Sequence, residues 1–257
     1  DPQDDARYND YWKHYLEITV RNGVTPNRAR ELVRTNSTVI GAMMVKRGDA
    51  DALVCGTYGQ YKSHVDHLRQ IIGRAKGVNE VAGLSLVILP QGTYFVCDTH
   101  VSLDPSAEQI AEIVRLAVAE VKRFGIEPKV ALLSHSNFGT SNHATAIKMR
   151  EAVALLHESD PDLEVEGEMH ADSAVSEDIR NHVFPDSKLT GNANLLVAPS
   201  LDAANIAFNL LKTVGEGLSV GPMLVGMASP VHVVTQSVTT RGVMNMTAYA
   251  VVDAQGS

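Results

Sequence analysis

Two cysteines in 257 residues, Cys55 and Cys97, are too few for a disulfide-stapled scaffold, and no CxxC pair occurs. Both lie in apolar, strand-like runs and read as buried free thiols. No apolar stretch reaches the ~20 residues of a membrane-spanning helix, and no secretory signal is visible. The cytoplasm is the expected compartment, and no membrane is an expected partner. Positive charge is also short, with a formal net charge of −8. Nucleic acid selects basic faces, so it is not an expected partner either. No Pro/Ser-rich tether or low-complexity stretch interrupts the chain, so a domain boundary is expected at a strand crossover. Toward the end carboxylates are scarce: between Asp202 and Asp253 only Glu216 remains.

What is present suits a globular protein. At 44% hydrophobic and 20% charged, the chain can bury a sizeable core in one large or two modest domains. It opens on DPQDDARYNDYW, without Met, and reads as a piece of something longer. Strand-like and helix-like segments alternate. DALVCG (51–56) reads as a buried strand and SHVDHLRQIIGRAKG (63–77) as a helix stopping at Gly77. LSLVILP (84–90) and TYFVCDTHV (93–101) read as a hairpin through Gln91-Gly92. DPSAEQIAEIVRLAVAEVKRFG (104–125) is the clearest helix, with Asp104 as cap, Pro105 in the first turn and Gly125 as the stop. Its Ile110, Ile113, Val114, Ala117, Val118 and Val121 share one face. KVALLSHS (129–136), LEVEGEMHAD (163–172), NLLVAPS (194–200), MLVGM (223–227) and VHVVT (231–235) read as strands or strand ends. Helices are expected at 146–159, over SAVSEDIRNHV, at 202–215 and near 240–253. The alternation predicts an α/β fold with a largely parallel sheet.

Four patterns carry candidate chemistry. The turn SHSNFGTSNH follows a strand and precedes a helix, where backbone N–H groups favour an anion. Ser134, Ser136, Asn137, Thr140 and Ser141 are its candidate ligand residues, against the plain reading of a capped turn. It is neither a Walker loop nor GxGxxG. In EGEMHAD, Glu168, His170 and Asp172 alternate and would share a strand face suited to a metal. The competing reading is a strand end whose Asp172 caps the next helix. His64 and His67 lack HExxH spacing and read as a solvated helix face. His135 flanks Ser134 and Ser136, but neighbouring strand residues point to opposite faces, and His232 and Thr235 meet only if their strand bends.

Several segments, in order, resemble one family. RNGVTPNRARELVR…GAMMVKRGDADALVCG, RFGIEPKVALLSHSNFGTS, EGEMHADSAV, NANLLVAPSLDAANIAFNLLK and VGPMLVGMASPVHVVT are similar to the phosphotransacetylases, from about Tyr11 to Gln255. Members that transfer an acyl group between CoA and phosphate carry P-V-N-D-L-S-R-G-x-x-x-x-D, whose Asp is the base toward the CoA thiol and whose Arg holds the acyl phosphate. Laid on PVHVVTQSVTTRG from Pro230 and Val231, the Asn falls on His232, the Ser on Thr235, the Arg on Gln236 and the Asp on Gly242. Sliding the pattern so that Arg241 serves as the Arg puts the Asp on Thr247. Either way the base is missing. A second family position, an Arg ahead of an apolar helix, becomes Asp66 here, with Arg69 one helical turn on as the alternative cation. Removing a cation and adding an anion each oppose phosphate binding, by about 1–3 kcal/mol in a partly buried site.

The variant segments LLSHSNFG, EGEMH and PVHVVT resemble the phosphotransacetylase-like C-terminal domain of large hybrid malic enzymes. That resemblance implies two α/β/α domains with largely parallel sheets flanking a cleft, as in the isocitrate and isopropylmalate dehydrogenases. The first would comprise residues 1–84 and 225–257 without the family's opening βα units. The second, residues 85–224, would carry dimerisation. The cleft would lie between the 134–142 turn and the 228–242 segment. It implies a non-catalytic regulatory and oligomerisation domain that binds acetyl-CoA or a related acyl-CoA. The candidate contacts are the five turn residues with Pro230, Val231, His232, Thr235, Gln236 and Arg241. No cofactor or metal is expected in this segment. NADP and Mg or Mn would serve the malate-oxidising N-terminal part, a covalent partner, and a homo-oligomer is expected. Two rivals stand beside this: an active phosphate acetyltransferase using other residues, and a purely structural assembly module.

Overall fold

The computed structural model describes residues 2–256. In chain order the first elements are α1 (Tyr8–Thr19), α2 (Pro26–Thr35), α3 (Ser37–Arg47), β1 (Leu53–Gly56), α4 (Tyr61–Ile71), β2 (Ala82–Leu89), β3 (Gly92–Cys97), α5 (Ala107–Arg123) and β4 (Val130–Leu133). They are followed by α6 (Ala144–Ser159), β5 (Val165–Met169), α7 (Ala171–Val175), α8 (Glu177–Val183), β6 (Leu195–Val197), α9 (Leu201–Val214), β7 (Leu218–Val225), β8 (Val231–Val234) and α10 (Thr240–Gln255).

Local sequence explains where the helices begin. Thr25 accepts from the Arg28 N–H ahead of Pro26, and Asn36 accepts from the Val39 N–H. Ser106 and Gln109 form a reciprocal capping box at α5, so that helix starts at Ala107 rather than at Asp104. Asp104 instead pairs with Lys148 at 2.6 Å. The helix expected to run to Gly77 ends at Ile71, because Gly73 takes φ +81°. The hairpin turn is Pro90-Gln91, and Gly92 already pairs with Leu89. SAVSEDIRNHV is two helices, divided at Ser176, whose hydroxyl caps the second.

Two compact units result, Asp1–Val78 with Gly226–Ser257, and Asn79–Val225. The crossover falls before residue 84 because β2 belongs to the second unit's sheet. There Ala82 pairs with Val225 and Ser85 with Val96.

The second unit holds six strands in the order β5-β4-β6-β3-β2-β7. β5, β4, β6 and β3 run parallel, while β2 is antiparallel to β3 and to β7. Their apolar runs are buried, as a sheet covered on its faces requires. One core cluster joins Val87, Val96, Ala131, Leu133, Met169, Leu196, Ala204 and Phe208. On α5, Ile110, Ile113, Val114, Ala117 and Val121 are buried as the periodicity predicts, and Val118 is half-buried.

In the first unit, β1 and β8 form a two-stranded parallel sheet. All four residues of β8 are buried, with α4 and α10 packed against that strand. Each fully buried Val contributes roughly 1.5–3 kcal/mol. Thr38 and Asn36 at the start of α3 bind His64 and His67 of α4, at 2.7 and 3.3 Å. The two histidines therefore clasp α4 to α3 instead of forming a solvated face. Burial, followed by the neighbouring His64, lowers the basicity of His67.

Candidate functional site

The first unit's candidate site lies at the carboxyl ends of its parallel strands, the usual binding edge of an open α/β sheet. A pocket of about 330 Å³ opens there. One wall comes from the β1–α4 connection: Thr57, Gly59, Tyr61 and His64. The other follows β8: Val234, Thr235, Gln236 and Ser237. The walls approach closely because Gly56, at φ +113°, lacks a Cβ that would strike the Val234 carbonyl. Gln236 Nε2 donates to the Gly59 carbonyl at 2.9 Å, and the Thr235 and Ser237 hydroxyls lie 3.1 Å apart.

Among the described residues, no Asp, Glu, Lys or Arg lines this pocket. Its imidazole, that of His64, is engaged at both nitrogens. His64 Nε2 lies 2.8 Å from the Tyr58 carbonyl, which can only accept, so Nε2 carries the proton. Nδ1 lies 2.7 Å from the Thr38 hydroxyl, and in the neutral ring it accepts a hydrogen bond from that hydroxyl. A base needs a lone pair aimed at its substrate, and this imidazole offers none without breaking a bond that holds the fold. Nor does a thiolate stand ready. Burial pushes the Cys55 thiol up to about 11, against a smaller opposing effect from Thr38. Cys97 in the second unit, fully buried, is raised as well, by burial first and then by Asp98. Both cysteines are free.

Thr235 and Gln236 are thus placed in the pocket wall, but their neighbours are not. Val231 and His232 are buried in the strand and Pro230 is buried just before it, where its carbonyl accepts from the Leu53 N–H at 2.9 Å. The strand's alternation turns His232 toward α10. There its Nε2 lies 3.3 Å from Asp253 Oδ2 and its ring 4.9 Å from that of Tyr249. His232 thus sits between β8 and α10 and does not line the pocket. Arg241 is exposed in the first turn of α10. Asp66 is exposed on α4 and paired with Lys62 at 2.6 Å, outside the pocket.

The 134–141 turn belongs to the second unit and is described within it. It holds an anion, but an internal one. The fully buried Glu168 carboxylate accepts from the Ser136 hydroxyl at 2.7 Å and the Gly139 N–H at 3.0 Å. Arg150 Nε and Nη2 reach it at 3.0 and 3.1 Å. Burial alone raises this carboxyl; Arg150, Ser136 and Gly139 together outweigh it and hold the group below the usual glutamate range. The remaining turn groups also bond within the chain. Ser134 Oγ accepts from the Ser136 N–H, Thr140 Oγ1 from the Asn137 N–H, and Asn137 Oδ1 from the His170 N–H. Ser141 Oγ meets His135 Nε2 at 3.2 Å. Ser134, Ser136, Asn137, Thr140 and Ser141 therefore serve the turn's own architecture. The metal reading of EGEMHAD dissolves for a related reason. β5 ends at Met169, His170 turns to the His135 carbonyl, and Asp172 accepts from the adjacent Ser173 N–H, so no face is shared. Among the described residues, no group of three or more His, Cys, Asp and Glu could hold a metal ion.

Two further features bear on the site. A larger groove of about 550 Å³ between β1 and α10 is lined by Ala50, Ala52, Val54, Ala250, Val251 and Ala254, with Asp51, Thr247 and Gln255 among them. Among the described residues, no helix is long and apolar enough to cross a membrane.

The family model described as phosphate acetyl/butaryl transferase matches residues 1–251. The chain belongs to that family. Its fold agrees with that of a phosphotransacetylase from Streptococcus pyogenes, at a TM-score of 0.91 and 28% identity, covering 100% of this chain and 78% of that one. In sequence, this phosphate acetyl/butaryl transferase family member is more similar to another group. It is 53% identical over 253 residues to an NAD-dependent malic enzyme of Rhizobium meliloti (strain 1021), covering 98% of this chain and 33% of that protein. It is 48% identical over 254 residues to an NADP-dependent malic enzyme of Escherichia coli (strain K12), covering 98% and 34%. The chain spans about a third of the length of these malic enzymes. Both levels of the sequence resemblance, to the family and to its malic-enzyme branch, are borne out.

Reading the sequence alone found one wall of the pocket and missed the other. The GTYGQYKSH stretch carried the signal, since its Gly56 and Thr57 open a strand-to-helix connection at a strand's carboxyl end.

Proposed function

We propose that this chain is a regulatory and assembly domain of a malic enzyme, and that it binds acetyl-CoA or a related acyl-CoA without turning it over. The observation that carries the reading is the pocket itself. It has room and a hydroxyl and amide lining, yet among the described residues it holds no carboxylate, no cation and no imidazole with a free lone pair. Such a site suits binding and does not suit deprotonating a thiol. The similarity to malic enzymes over 98% of the chain supports the wider role. In that role NAD or NADP and Mg or Mn act in the remaining two thirds of the protein, which binds malate. Thr235 and Gln236 are the contacts retained from the sequence reading, with Thr57 and Ser237 added. Arg241 is exposed near the start of α10 and is retained for an outer phosphate.

The test is calorimetric titration of the 257-residue chain with acetyl-CoA, free CoA and acetyl phosphate separately, together with an acyl-transfer assay. Micromolar acetyl-CoA binding without transfer is expected. Formation of acetyl-CoA from acetyl phosphate and CoA would overturn it.

A purely structural assembly role is the second reading. It is favoured by an exposed apolar stripe on α9, where Ile206, Leu210 and Val214 are 58%, 58% and 78% exposed. Absence of any acyl-CoA binding, with oligomers intact, would decide for it.

A further inference from the structure

Tyr58 stands 89% exposed at the edge of the pocket, between two of its lining residues. Thr57 before it has φ +67° and Gly59 after it has φ +95°. A β-branched residue in the left-handed region is strained, and such strain persists only where the surroundings enforce it. Here they do. The Thr57 N–H reaches the Val234 carbonyl at 3.4 Å, His64 Nε2 holds the Tyr58 carbonyl at 2.8 Å, and Gln236 Nε2 holds the Gly59 carbonyl at 2.9 Å. The backbone on both sides of the ring is tied down while the ring itself stays in water. Free folding would favour the reverse, a mobile loop with its aromatic side chain buried. A rigid tyrosine with few rotatable bonds is a low-entropy contact surface for a ligand.

We propose that Tyr58 is a stacking platform for the adenine ring of the acyl-CoA whose acyl and pantetheine end enters the pocket. The proposal rests on the acyl-CoA reading above. The chemistry of the two parts divides accordingly. Uncharged hydroxyl and amide groups of Thr57, Thr235, Gln236 and Ser237 suit the amide-bearing pantetheine arm. The exposed phenol ring suits a planar purine, because every base offers a π-face. Among the described residues no cation lines the pocket, so the pyrophosphate between them stays toward solvent.

The experiment compares wild type, Tyr58→Leu and Tyr58→Phe, each titrated with acetyl-CoA and with acetyl-pantetheine, which lacks the nucleotide. The expected result is about a tenfold loss of acetyl-CoA affinity in Tyr58→Leu and little change in Tyr58→Phe, in line with aromatic–base stacking. Acetyl-pantetheine should bind wild type and Tyr58→Leu alike. In a Trp12→Phe background, a Tyr58→Trp variant should lose fluorescence on adding acetyl-CoA and not on adding acetyl-pantetheine. Equal acetyl-CoA affinity in wild type and Tyr58→Leu overturns the stacking role while leaving the acyl-CoA reading standing. Parallel losses for both ligands overturn it too, since the loop rather than the ring is then responsible. A change in oligomeric mass with no change in affinity assigns Tyr58 to a subunit contact and overturns it as well. No acetyl-CoA binding to wild type removes the acyl-CoA reading and this proposal together.

Discussion

The guanidinium of Arg150 on α6 meets the buried carboxylate of Glu168 on β5 through two nitrogens, Nε at 3.0 Å from Oε2 and Nη2 at 3.1 Å from Oε1. Arg150 Nη2 also donates to the Ser141 carbonyl at 2.8 Å, so one cation closes the 134–141 turn onto the strand beneath it.

Glu168→Gln removes the charge that Ser136 and Gly139 serve. The expected loss is about 2 kcal/mol, as for hydrogen bonds to a buried charged group, read as a lower denaturation midpoint with unchanged slope. Acid should act through the same carboxyl. Its folded pKa lies below the ordinary glutamate value of 4.5. The stability it contributes is therefore complete above that value and lost as pH falls through the folded one. Urea melts in that range should be steeper in pH for wild type than for Glu168→Gln.

His100 works in a higher window. Burial, followed by Lys212, lowers its pKa from 6.5 to about 4. The unfolded chain takes up that proton first, so stability is complete above 6.5 and declines between there and about 4. The decline attributable to this ring is at most about 3 kcal/mol. Replacing it with Asn should flatten the pH dependence between those values. An unchanged profile refutes the assignment.

Arg180 is fully buried and donates to the carbonyls of Ser173, Leu189 and Gly191. A planar fork serves three acceptors where an ammonium on a flexible stem cannot. Arg180→Lys should cost about 2 kcal/mol. Hydrogen exchange should then quicken first at 173–191, next to the bonds lost.

Leu210→Glu places a charge at the centre of the α9 stripe. If that face joins subunits, as proposed, light scattering should show a lower molar mass with unaltered helix content. An unchanged mass removes α9 from the interface.

Long apolar runs with clear punctuation made β2, β3, α5, α9 and α10 readable in advance, because burial and capping act within a few residues. The three opening helices were not readable in the same way. On α2 only Ala29, Leu32 and Val33 are buried, set among Arg, Asn and Glu that hide the stripe. The site was half legible. Thr235 and Gln236 followed from position, whereas His232 was misplaced because its partner Asp253 lies a helix away and no spacing reports it. Glu168 was weighed only as an alternating metal ligand or part of a plain strand end, since nothing local to EGEMHAD points back to Arg150 on α6.

The Glu168 carboxylate has a consequence for what this turn can sense. An acid group held by the chain next to its donors has an effective concentration of millimolar or more, without any dissolved anion. A free phosphate must compete against that tethered rival before it gains a single donor. The Ser136 hydroxyl, the Gly139 N–H and the Arg150 guanidinium are accordingly engaged by Glu168 before any dissolved anion arrives.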